Sequence, residues 1–84
     1  MKVYLMTTNW SGFEDFEANG CIADVFDSEE KAIKYMNEAV KQEIEEEKEY
    51  GREFHENARF PKYVSIVSQH SEYVEFEVDE KEVL

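Results

Sequence analysis

The stretch Asp27-Ser28-Glu29-Glu30-Lys31-Ala32-Ile33-Lys34-Tyr35-Met36-Asn37-Glu38-Ala39-Val40-Lys41-Gln42-Glu43-Ile44 decides the fold. Ile33, Met36, Val40 and Ile44 recur at spacings of three and four, with Ala32 and Ala39 beside them, which is one apolar stripe on an amphipathic helix. Asp27 and Ser28 are both candidate caps, because their side-chain oxygens accept from the first free amides. With Asp27 as the cap, Glu30 falls where a capping box wants it, and Glu29 and Glu30 suit the positive end of the dipole. Gly51 is the natural stop. A longer or broken helix is the alternative, since the stripe continues in phase through Phe54 and Ala58 until Pro61 ends it. Residues 51–61 are therefore read as helix or loop.

Outward from the helix the pattern is extended. Met1 to Thr8 reads as a strand apolar on both faces at Val3-Tyr4-Leu5-Met6, hence central with both sides covered or nearly so. Asn9 to Gly12 carries turn residues, and Phe13-Glu14-Asp15-Phe16-Glu17 forms the far side of a long hairpin loop. A second strand runs from Ala18 to Phe26, with Gly20 marking a bulge, Cys21, Ala23 and Val25 on one face, and Ile22, Asp24 and Phe26 on the other. After the helix, Tyr63 to Gln69 is a third strand and His70-Ser71 a turn. Tyr73 to Val78 alternates, Val74, Phe76 and Val78 inward and Tyr73, Glu75 and Glu77 outward. The charged tail from Asp79 to Leu84 is expected to fray. The expectation is one α+β domain over residues 1–84: a four-stranded antiparallel sheet in β-β-α-β-β order with one amphipathic helix packed on one face. So small a core is modestly stable unless it oligomerises.

The first half resembles a set of small uncharacterised bacterial and phage domains. The residues that carry the likeness are Val3-Tyr4-Leu5, then Gly20 to Val25, then Phe26-Asp27-Ser28-Glu29-Glu30-Lys31-Ala32. The resemblance spans Met1 to Val40 and implies a cytoplasmic α+β domain, with no activity and no functional residues to carry over.

Charge is the dominant feature of the composition. Twenty-one acids against nine Lys and Arg leave a net charge of −12 over 84 residues. Such a surface repels a phosphate backbone, which argues against nucleic acid or an anionic membrane as a direct ligand. No apolar run approaches the roughly 20 residues that span a bilayer, and the N-terminus lacks the basic-then-apolar pattern of a secretory signal. A single cysteine makes no internal disulfide, as expected in a reducing cytoplasm.

The acid is spread over regular elements. Residues 1–27 carry net −4, 28–50 net −4, 51–71 net +1 and 72–84 net −5. Glu43, Glu45, Glu46, Glu47 and Glu49 crowd the last turns of the helix, where the dipole is negative. Each costs about 0.3 kcal/mol or more at an exposed site, and Glu45 and Glu49 repel at i, i+4. Carboxylates one helical turn apart stand roughly 6 Å from each other, close to the spacing of phosphates along a strand. Glu43, Glu45, Glu46 and Glu49, with the outward Glu75 and Glu77, are therefore candidate partner-binding residues. Trp10 and Phe13, aromatic residues in an acidic loop, are candidate anchors of the same interface, whereas Phe16 is read as capping the core.

No catalytic motif stands out. Glu53-Phe54-His55-Glu56 with a distant His70 matches no established metal spacing, so no metal or cofactor is expected. Cys21 reads as a buried structural thiol. Arg52, Phe54, Arg59, Phe60 and Lys62 form the one basic aromatic stretch, whose cations are expected to pair with the chain's own acids or with a neighbouring subunit. The leading expectation is a non-enzymatic inhibitor or adaptor that presents carboxylates to the basic groove of a nucleic-acid-handling protein, concretely a phage antagonist of a host defence factor. The alternative is an accessory domain that self-associates, a homodimer included, through Tyr4, Tyr63, Val67 or Tyr73, with the acid serving solubility. A third reading, an enzyme or metal protein, requires His55, His70 or Cys21 to converge.

Overall fold

The computed structural model describes residues 1–14 and 19–83. The elements are β1 (Lys2–Ser11), β2 (Gly20–Phe26), α1 (Glu29–Glu49), β3 (Phe54–Phe60), β4 (Tyr63–Ser68) and β5 (Tyr73–Glu82). They form an α+β fold, a five-stranded sheet in the order β2-β1-β5-β4-β3 with every neighbouring pair antiparallel. The sheet has one strand more than expected. The extra strand is β3, which occupies the segment read as helix or loop.

The helix ends where glycine permits it. Gly51 adopts φ +80, and the N–H groups of Arg52 and Gly51 donate back to the carbonyls of Glu47 (2.9 Å) and Lys48 (3.0 Å). This Schellman closure reverses the chain so that Phe54 re-enters the core as the first residue of β3. At the other end Ser28 is the cap, its Oγ accepting from the Lys31 N–H at 3.2 Å. Lys31 rather than Glu30 therefore holds the third helical position, and the expected capping box is not formed. Asp27 instead accepts from Lys31 Nζ at 2.9 Å, and that ammonium holds its carboxyl below the usual range. Ala32, Met36 and Val40 are buried, with Ile33, Ala39 and Ile44 flanking them.

One face of the sheet carries the core. Met6, Val64, Ile66, Val74, Phe76 and Val78 are at most 4% exposed, and with Phe13 and Phe54 they meet the helix stripe. The other face has no covering layer among the described residues. β1 is central in the sheet, yet it is covered on one side only: Met6 and Thr8 are buried while Val3, Leu5 and Thr7 are half-buried.

Other expectations are corrected by pairing. Asn9, Trp10 and Ser11 extend β1 instead of turning, because each has a partner in β5, from Asn9↔Glu75 to Ser11↔Tyr73. The tail does not fray at Asp79: β5 runs to Glu82 against Lys2–Leu5, and the Val83 N–H donates to the Met1 carbonyl at 2.8 Å. Gly20 carries no bulge, since the β1–β2 register runs unbroken from Tyr4↔Phe26 to Trp10↔Gly20. The bulge lies in β3, between Glu56 and Ala58. Cys21 is exposed rather than buried, because β2 is an edge strand and Cys21 lies on the uncovered face. Ala18, read as the start of that strand, lies outside the described residues.

Phe76 stands in the middle of the covered face at 1% exposure. Replacing it with alanine is expected to lower the unfolding free energy by about 3–5 kcal/mol, measured as a lower urea midpoint at unchanged slope. A loss below about 1 kcal/mol would contradict this account of the core.

Candidate functional site

The acidic end of α1 divides into two sets. Glu43 and Glu47, one turn apart, face the sheet side. Trp10 Nε1 donates to Glu43 Oε1 at 3.1 Å, and Arg52 Nη1 reaches Glu47 Oε2 at 3.0 Å. The same guanidinium uses Nε to reach Glu72 Oε2 at 3.0 Å and lies 5.8 Å from the centre of the Phe13 ring. Glu72, nearly buried, accepts from Ser68 Oγ at 2.8 Å through its other oxygen. Arg52 is thus clamped by two carboxylates over an aromatic ring, and its pKa is raised, chiefly by the bond to Glu47.

Glu45, Glu46 and Glu49 make up the second set. All three are exposed, and among the described residues no cation lies within ion-pair distance of any of them. Of the three, Glu46 also acts on Glu43. Burial pushes the Glu43 carboxyl above its usual range, the Trp10 N–H opposes this, and the neighbouring Glu47 and Glu46 add to the rise.

The remaining sequence candidates do not join this surface. Glu75 and Glu77 alternate with the buried Val74, Phe76 and Val78, so they lie on the uncovered face, opposite the helix. Glu75 is half-buried there and accepts from the Tyr63 hydroxyl. That bond, with burial behind it, pushes the tyrosine pKa well above its usual value. Trp10 lies in β1, half-buried, and serves the Glu43 contact. Phe13 is a core residue rather than a surface anchor: it is 9% exposed and stacks on Phe54 with centroids 6.2 Å apart. Phe16 lies outside the described residues.

Arg52 heads the basic stretch, and all three of its cations pair with the chain's own acids: Arg52 as above, Arg59 with Glu56, and Lys62 with Glu29 at 3.0 Å. Sequence reasoning placed Arg52 in that stretch but missed its clamp, which the Gly51 stop signals by folding the next residue back over the last helical turn.

The clamp floors a cleft of about 700 Å³ lined by Trp10, Phe13, Glu47, Arg52, His70 and Glu72. Its rim is tight: Gly12 adopts φ +79, and a Cβ there would stand 2.6 Å from the Ser71 carbonyl oxygen. His70 sits at this cleft, His55 on edge strand β3 and Cys21 on the opposite edge strand β2, so the three groups of the catalytic reading do not converge. Among the described residues no three His, Cys, Asp or Glu side chains are grouped to hold a metal, and no helix is long and apolar enough to cross a membrane. Comparison with protein-family models, curated proteins and solved structures found no match.

Two measurements check this electrostatic account. Glu43→Gln keeps an acceptor for Trp10 and removes the half-buried charge. A carboxyl whose folded pKa is raised gives stability that is present below its unfolded value, near 4.5, and lost as pH rises through the folded value. The variant is therefore expected to unfold at higher urea than wild type at pH 7, with the gap closing by pH 4; a gap independent of pH contradicts it. Glu72→Ala strips Arg52 of one carboxylate and Ser68 of its acceptor, and is expected to cost about 1–3 kcal/mol by the same titration.

Proposed function

We propose that this chain is a small non-catalytic protein-binding module that presents carboxylates to the basic groove of a nucleic-acid-handling protein. Its concrete form is a phage-type inhibitor of a host defence factor, acting in the cytoplasm. The observation that carries the reading is the division of the helix end. Two of its carboxylates are taken up by Trp10 and Arg52, while Glu45, Glu46 and Glu49 stay exposed, with no ion-pair partner among the described residues, against the negative pole of the dipole. An arrangement that costs the isolated fold free energy is expected where a cationic partner restores it. The exposed free thiol of Cys21 suits a reducing compartment.

A second reading rests on the uncovered sheet face. Leu5, Tyr63, Val67 and Tyr73 are half-buried there, Val25 is 64% exposed and Phe60 61% exposed. Self-association through this face makes the acid a solubility device. Tyr4 takes no part in it, since its hydroxyl donates to Glu80 on the helix side and its ring packs against the core.

The two readings separate by experiment. Replacing Glu45, Glu46 and Glu49 together with Gln is expected to stabilise the isolated protein by less than about 1 kcal/mol. In an affinity pull-down from host lysate the wild type is expected to retain a basic protein at low salt and release it at high salt, while the triple variant retains little at either. Equal retention by the two removes this surface as the interface. A concentration-dependent mass in sedimentation, unchanged by the triple substitution, favours self-association.

A further inference from the structure

The sheet has two outer strands, and they are built differently. β3 is guarded: a bulge breaks its ladder between Glu56 and Ala58, Arg59 is held by Glu56 and Asn37, and Pro61 follows. β2 has none of these devices. It contains no proline and no lysine, its register with β1 is unbroken, and Asp24 is its one charge. From Gly20 to Val25 every residue is exposed, and among the described residues no strand pairs with its outer side. Such an edge offers a row of free N–H and C=O groups to an extended chain.

The two sides of that edge have opposite character. Cys21, Ala23 and Val25 lie on the uncovered face, Val25 beside Leu5, Ala23 beside Thr7 and Cys21 beside Asn9. On the helix side a groove of about 200 Å³ runs between β2 and α1, with Ile22, Asp24, Tyr35, Ala39, Glu43 and Glu46 along it. A strand added beside β2 projects alternate side chains to these two sides. Those on the uncovered face meet the small and aliphatic side chains of Cys21, Ala23 and Val25, and those on the helix side meet Asp24, Glu43 and Glu46. A second copy of β2 would bring another Asp24 and another net charge of −12 into the same place.

We infer that the free edge of β2 is a strand-addition site for an extended segment of a basic partner, with aliphatic residues alternating with Lys or Arg. The inference rests on the proposed function only in taking the partner to be basic; the edge, the mode of pairing and the alternating pattern are additional.

The probe is a nine-residue peptide of alternating valine and lysine with blocked ends, compared with the same peptide N-methylated at every second residue. The methylated form keeps charge and apolar content but cannot complete a ladder. The parent is expected to bind the full chain at low salt and to slow hydrogen exchange at β2 amides. Affinity is expected to fall at least tenfold on methylation, and at least tenfold for Asp24→Lys. Glu30→Gln, an exposed substitution in the first turn of α1 that does not line the groove, is expected to stay within twofold. Equal binding of the two peptides, or protection confined to the end of α1, overturns strand addition while leaving the basic-partner reading intact. Binding of neither peptide overturns it as well. A dimer that forms without peptide and dissociates in the Asp24→Lys variant assigns the edge to a second copy instead.

Discussion

The ladder between the first and last strands holds this fold in register. β1 and β5 pair along ten residues, from Lys2↔Glu82 to Ser11↔Tyr73. The first and last strands therefore meet inside the sheet, and everything else hangs from that seam. β2 adds to the free side of β1, and β4 with β3 adds to the free side of β5. The helix must span from the end of β2 at one edge to the start of β3 at the other, which lays it across a single face. Closing so long a loop is entropically costly before any contact returns it, and the return comes from Met6, Val74, Phe76 and Val78, seam residues that sit under the helix stripe. Just after β1, Gly12 packs close against the Ser71 turn that leads into β5, and Phe13 stacks on Phe54 of β3.

That seam also determines how the charge is spent. A net charge of −12 on 84 residues opposes compaction, and three cations, Arg52, Arg59 and Lys62, stand where elements meet. Arg52 joins the end of α1 to the start of β5 through Glu47 and Glu72. Lys62 joins the β3–β4 turn to the first turn of the helix through Glu29. Arg59 crosses from β3 to Asn37 on the helix. Guanidinium groups serve the two multidentate junctions, as their planar forks allow. Among the described residues Lys34, Lys41, Lys48 and Lys81 make no ion pair, and acid outnumbers them on the outer arc of the helix and along the strands.

The sequence disclosed the parts of the fold whose periodicity is not interrupted. The helix stripe, its glycine stop and the alternation Val74-Phe76-Val78 were legible because each obeys one period throughout. β3 was not. Its bulge moves Arg59 to the helix side, breaking the period of two, and Phe54 and Ala58 happen to stand one helical turn apart, in phase with the stripe before them. Asn9 to Ser11 carry turn composition that pairing overrides, on both sides for Asn9 and Trp10 and with β5 alone for Ser11. The tail was misread for the same reason, since a charged strand declares itself only through a neighbour such as Lys2–Leu5. At the candidate site the chemistry of the helix end was legible, but its division was not: the partners of Glu43 and Glu47 come from β1 and from beyond the helix stop. Phe13 and Cys21 exchanged their expected places because burial here depends on which face the helix covers, and composition does not carry that.

The division of the helix end changes what its acid implies. Five glutamates against the dipole look like one large violation of a local rule. Two of them have internal partners, so the fold itself accounts for Glu43 and Glu47, and the unexplained charge shrinks to Glu45, Glu46 and Glu49. Of these, Glu46 also borders the groove beside β2, next to Asp24. The exposed acid and the unguarded sheet edge therefore meet at one place, on the same side of the molecule. Glu75 and Glu77 lie on the other face, and there Glu75 already serves Tyr63. A partner that needs both negative charge and a strand to pair with finds the two together only along the line from Asp24 to Glu46. The opposite edge, β3, offers no such combination: its ladder is broken between Glu56 and Ala58, and Arg59 sets a cation beside Glu56 there.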